Sequence, residues 1–183
     1  MDVRSVQRRC EAILRGVDLP VPFDVQTFTE GLAARRGRPI LLSPIASWPG
    51  PCGAWVASLA VDYIFYEQAT SPLHQQHIIL HELSHLLCGH TPVTVAETEV
   101  THLLFPAVRP DAVQRLLRRT GYSAINEQEA ELLASLIWER AAPQTPTGAS
   151  PATSAAAGVL SGLEMCLEGE PDGGPGRISQ TPG

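Results

Sequence analysis

The stretch His77-Ile78-Ile79-Leu80-His81-Glu82-Leu83-Ser84-His85-Leu86-Leu87-Cys88-Gly89-His90 decides how this chain of 183 residues is read. Its centre, His81-Glu82-Leu83-Ser84-His85, fits the pattern H-E-x-x-H. Upstream, Ser71-Pro72 supplies a cap and a first-turn proline, and Gly89 supplies a stop, so the spacing predicts one helix over about 72–88. Histidines four apart leave one face of a helix, and both imidazoles can then meet a single tetrahedral Zn2+. Glu82 is offset from that face, as a general base acting on water beside the ion must be. Ile79, Leu80, Leu83, Leu86 and Leu87 bury the helix, and a dry wall strengthens the polarising effect of a cation. Two accidental core histidines are the blander reading, but motif, helix and apolar flanks coincide here.

A catalytic zinc needs a third protein ligand and an open position. Four candidates compete. His90 follows His81 by nine residues, one short of the metzincin spacing, and Cys88 stands where that pattern has glycine. His102 sits in a weakly patterned stretch. His77 is a turn before His81, about 6 Å from it along the axis and about 12 Å from His85, which suits a rim position. The fourth candidate is Asn126-Glu127-Gln128-Glu129-Ala130-Glu131. Glu127 and Glu131 share a face, so one can bind metal while the other accepts a hydrogen bond from a liganding imidazole. Ala130 is small where two helices would approach closely. Glu129 reads as a first-turn acid that favours the positive helix pole and faces water.

Working outward, apolar residues at spacings of three and four predict a helix over 2–14 ended by Gly16, and a second over about 23–36 opened by Pro22. Residues 40–42, 54–59 and 63–66 read as short strands of a small antiparallel sheet, interrupted at Trp48-Pro49-Gly50-Pro51, with Asp62 at a bend. The strand 63–66 is either the edge along which an extended peptide pairs or an interior strand. Weaker helices are expected at about 96–104 and 111–119, and a long one over about 123–141. Residues 143–183 are rich in Pro, Gly, Ser, Thr and Ala and read as a disordered tail, with 159–167 a transient helix or docking segment at most. The fold class expected is therefore α+β: a zincin-like domain over 1–142, with its sheet packed on the H-E-x-x-H helix and a C-terminal ligand helix.

Thirteen basic against 19 acidic side chains give a net charge of -6, which disfavours direct nucleic-acid binding by this chain. No stretch approaches the about 20 apolar residues of a membrane span, and residues 1–15 lack the apolar core of a secretory signal. Cys10, Cys52, Cys88 and Cys166 show no Cys-x-x-Cys spacing, so a reducing cytoplasm is the expected compartment.

The run His81 to His90, followed by Glu127-Gln128-Glu129-Ala130-Glu131-Leu132-Leu133-Ala134-Ser135-Leu136, resembles the ImmA/IrrE metallopeptidases, whose members read H-E-L-x-H-x-L-x-x-H and then E-x-x-A-N/D-x-F-A-x-x-L. The resemblance implies Glu127 as third zinc ligand. It departs from the pattern at Glu131, where Asn or Asp is usual, at Leu133, where Phe is common, and at Trp138-Glu139, where Met-Pro is usual. It also implies a cytoplasmic zinc endopeptidase that cleaves a helix-turn-helix (XRE-type) repressor encoded nearby, in stress responses or mobile-element induction, or as a toxin-antitoxin component. Tyr122, shortly before Glu127, is a candidate to steady the tetrahedral oxyanion. The competing expectation is a non-proteolytic regulatory binding module with a structural or vestigial zinc site, closed by a fourth ligand such as His90 or His102.

Overall fold

The computed structural model describes residues 3–46, 53–96 and 121–142, all within one unit, Met1–Gln144. The turn expected at residues 48–51, the helices expected at about 96–104 and 111–119, His102, and the whole of 143–183 lie outside the described residues.

Helix α1 (Val3–Arg15) buries Val6, Cys10 and Leu14, the stripe its spacing predicts. Helix α2 (Val25–Arg36) starts later than expected. Asp24, not Pro22, caps it, its carboxylate accepting the Thr27 N–H at 2.7 Å, and Gly37 closes it at φ 62. Helix α3 (Pro72–Cys88) runs from its Ser71 cap to Gly89 at φ 71, as the sequence predicts. Helix α4 (Ala124–Ala141) is capped by Ser123, whose hydroxyl accepts the Asn126 N–H.

The strands correct one expectation. β1 (Ile40–Ile45), β2 (Gly53–Ala57), β3 (Asp62–Glu67) and β4 (Val93–Thr94) form a mixed sheet in the order β1-β3-β2-β4, not an antiparallel one. Only the β2–β3 hairpin is antiparallel; β1 runs parallel to β3, and β4 parallel to β2. The cause is the insertion of β3 between β1 and β2, which makes β3 doubly paired. That decides the open question of residues 63–66: they lie in an interior strand, so they offer no edge to a peptide.

Burial on both faces explains the apolar run of β3. Ile64 joins Trp55 under the helices, packed with Ile79, Leu80, Leu83, Leu133 and Ile137. Tyr63 and Phe65 alternate to a second cluster with Ala54, Val56 and Val95. α3 lies on β2 and β3, and α4 packs against both α3 and α1. Ala130, fully buried, sits on the face of α4 that approaches its neighbours, as its size suggests. Asp62 is not a bend residue. It opens β3, is buried, and accepts hydrogen bonds from Arg36, Arg38 and the Trp55 indole N–H. No helix among the described residues is long and apolar enough to cross a membrane.

Candidate metal centre

α3 and α4 meet where both carry their polar residues. His81 and His85, one turn apart on α3, face the first turns of α4, and their Nε2 atoms stand 3.0 Å apart. Glu127 Oε2 lies 3.2 Å from His81 Nε2 and 3.6 Å from His85 Nε2. Ligands at 2.0–2.1 Å from a tetrahedral zinc are separated by about 3.3 Å along each edge, so the three atoms already describe one face of that tetrahedron. They form a group able to hold a metal ion, joined by no other His, Cys, Asp or Glu among the described residues.

The carboxylates behind the rings fit the same purpose. His81 Nδ1–H donates to Glu131 Oε2 at 3.3 Å, which leaves Nε2, the atom turned toward Glu127, as the one a cation would take once its proton is displaced. His77 Nε2 reaches the same Glu131 oxygen at 3.3 Å, so it occupies the rim and holds the carboxylate. In the metal-free chain, burial lowers the His81 pKa, but the hydrogen bonds it donates to Glu127 and Glu131 and the nearby Glu82 outweigh it and raise His81 to about 10. For His85 burial prevails over the pull of the nearby Glu127 carboxylate, and its pKa falls. Glu127 is lowered to about 2: burial opposes ionisation, and the hydrogen bond to His81 and the nearness of His85 overcome it. A proton on His81 thus stands where the ligand geometry would accept a divalent cation. The donor set of two imidazoles and a carboxylate suits Zn2+.

Glu82 sits beside this group in a different environment. It is buried, and burial pushes its carboxyl up to about 7, against the pull of His81 and of the Trp55 backbone N–H that bonds it. Its Oε2 has no hydrogen-bond partner among the described residues. Gly53 makes the close approach possible: a Cβ there would meet Ile78 Cγ2 at 2.5 Å and Glu82 Oε1 at 3.0 Å. Tyr122 stacks on His85, ring centroids 3.7 Å apart, and its buried hydroxyl is likewise without a partner among the described residues. Access is one-sided. The His85 side chain is fully buried, whereas Glu127 is 46% exposed, so the cluster opens toward solvent past Glu127.

One residue stands elsewhere than expected, and one weighed candidate takes another place. His90 is not a ligand of this group: it lies against the far edge of His85, Nδ1 to Nδ1 at 2.9 Å. The turn after α3 puts it there, because Gly89 in the left-handed region lets the His90 N–H return to the His85 carbonyl at 3.0 Å. Glu129 does not face water. It is 2% exposed and takes both His90 Nε2–H and Arg9 Nη1–H on Oε2, each at 3.0 Å. Arg9, from α1, also donates to the Cys88 carbonyl at 2.6 Å. Nothing in the spacing of α4 distinguishes Glu129 from a surface acid; its partners come from α1 and from beyond α3.

Cys88, His90 and Glu129 form a second group of candidate ligand atoms. A guanidinium already holds that carboxylate. Burial first, then Glu129, pushes the Cys88 thiol up to about 12, so it offers a neutral thiol. The His81, His85 and Glu127 group is the better cation site. No protein-family model matches the chain, and no curated protein or solved structure does either.

Proposed function

We propose that the chain is a zinc-dependent endopeptidase. The observation that carries the reading is the convergence of His81 Nε2, His85 Nε2 and Glu127 Oε2 on one point that opens to solvent, with a buried, half-free carboxyl beside it. When bound, Zn2+ supplies Lewis acidity, lowering the pKa of water and polarising the scissile carbonyl.

His81, His85 and Glu127 hold the ion, and Glu131 orients His81 through its Nδ1–H. Glu82 uses Oε2, unpartnered among the described residues, to accept the proton of the attacking water. It then delivers that proton to the leaving nitrogen, and a carboxyl near 7 can do both at neutral pH. The Tyr122 hydroxyl, kept protonated by burial and by the charges of Glu82 and Glu127, donates to the oxygen that becomes negative. Resemblance to the ImmA/IrrE peptidases supports a cytoplasmic enzyme acting on a helix-turn-helix repressor encoded nearby.

The test pairs the purified chain with such a repressor, in Zn2+ and in chelator. Zinc-loaded protein should cleave it; chelated protein and Glu82→Gln should not, while Glu82→Gln still binds zinc and the partner. Losing a general base lowers turnover by about 10²–10⁴. Cleavage by Glu82→Gln at the unmodified rate would refute the general-base assignment, and zinc-independent cleavage would refute the metal reading.

A further inference from the structure

We infer that His90, backed by Glu129 and Arg9, is a positioning residue that sets the tautomer of His85 and so directs its Nε2 lone pair toward the cation. The inference rests on the metal reading above.

Three separate parts of the chain converge behind His85. Arg9 comes from α1, Glu129 from α4, and His90 from the turn closing α3. The proton positions follow from the partners. His90 Nε2 lies 3.0 Å from a carboxylate oxygen, which accepts only, so Nε2 carries a proton. In that tautomer of His90, Nδ1 is bare. The contact between His90 Nδ1 and His85 Nδ1, 2.9 Å, needs one donor, and that donor is His85. Neutral His85 protonated at Nδ1 is bare at Nε2, the atom that faces His81 and Glu127.

The surroundings keep this arrangement. Arg9 balances Glu129 and, through the Cys88 carbonyl, ties that carboxylate to the end of α3. Tyr122 stacks on one face of the His85 ring at an interplanar angle of 22°, while His90 meets its edge at 66°. His81 uses a carboxylate behind it, Glu131; His85 reaches its carboxylate, Glu129, only through a second imidazole.

Two variants and one measurement without a variant test this. His90→Asn keeps an acceptor oxygen near the place of Nδ1; His90→Leu removes it and leaves Glu129 paired with Arg9. Zinc affinity of the full-length chain, measured by competition with a chelating indicator, should fall by about 10- to 100-fold in His90→Leu. His90→Asn should keep affinity within about threefold, a rescue that a packing role alone would not produce. The Co2+-substituted protein should show a shifted visible spectrum in His90→Leu and not in His90→Asn. Equal losses in both variants, or no loss in His90→Leu, would overturn the inference.

Should His90→Leu fail to fold, imidazole nitrogen NMR of the metal-free unmodified chain decides the matter. His85 must show a protonated Nδ1 and a bare Nε2; the opposite tautomer overturns the inference. A chain that binds no zinc would fail the metal reading, whereas the tautomer readout judges His90 independently.

Discussion

Replacing Gly53 by alanine tests how the sheet and the site are joined. The backbone at Gly53 is in a β-strand, so a methyl group is resisted only by its neighbours. It would stand 2.5 Å from Ile78 Cγ2, 3.0 Å from Glu82 Oε1 and 3.2 Å from Glu82 Cγ. Ordinary carbon contacts fall at about 3.5–4.0 Å, so the first overlap is about 1 Å. Ile78 is buried on α3 and cannot swing into solvent. Either its rotamer is forced, or α3 lifts from β2. Overpacking of this kind costs about 1–3 kcal/mol, and the lower unfolded-state entropy of alanine returns about 0.4–1 kcal/mol. The net expectation is a loss of about 1–2 kcal/mol, or about 3–8 °C in the thermal midpoint for a domain of this size.

Calorimetry of Gly53→Ala and the unmodified chain, both metal-free, measures it. Because Glu82 is one of the groups displaced, cleavage should fall further than stability predicts, with zinc content unchanged. A midpoint equal to or above that of the unmodified chain would refute the packing argument.

Glu127→Ala should sharply lower zinc content after gel filtration, since it removes the carboxylate of the proposed ligand group; full occupancy measured by elemental analysis would place the third ligand elsewhere. Asp62→Ala strands the Trp55 indole N–H and two arginines, and hydrogen bonds to a buried charge are worth about 1.5–3 kcal/mol each, less for the partly exposed arginine contacts. Urea unfolding should show a loss of about 2 kcal/mol with no change in zinc affinity. Gly89→Ala forces a side chain to φ 71 at a cost of about 1–2 kcal/mol, and, because that turn sets His90 behind His85, it should also weaken zinc binding in the same indicator assay.

The site was legible where its geometry is local. Ser71, Pro72 and Gly89 bound α3, and a four-residue spacing puts His81 and His85 on one side of it whatever the rest of the chain does. The acids of α4 were legible as a set but not as individuals. Glu127, Glu129 and Glu131 follow one another within a turn and a half, and helical spacing alone separates Glu129 from the other two without saying what each face meets. By spacing alone Glu129 reads as a first-turn acid that favours the positive helix pole and faces water; its partners, Arg9 and His90, are 120 and 39 residues away. The mixed sheet is decided by distant partners in the same way. Two adjacent strands joined by a short turn predict a hairpin, and β2 and β3 form one, but only the position of β1 relative to β3 makes the sheet mixed.

By itself, then, the sequence determined what depends on near neighbours along the chain: helix limits through caps and glycines, the apolar stripes, and the pairing of two imidazoles with one intervening glutamate. Tertiary structure decided which acid reaches those imidazoles, that β3 is interior, that Gly53 gives Glu82 its room, and that His90 stands behind His85 instead of beside it. The division is physical. Backbone hydrogen bonds and i, i+4 geometry act over a turn or two, whereas burial, the pairing of charges and the separation of ligand atoms depend on how α1, α3, α4 and the sheet come together.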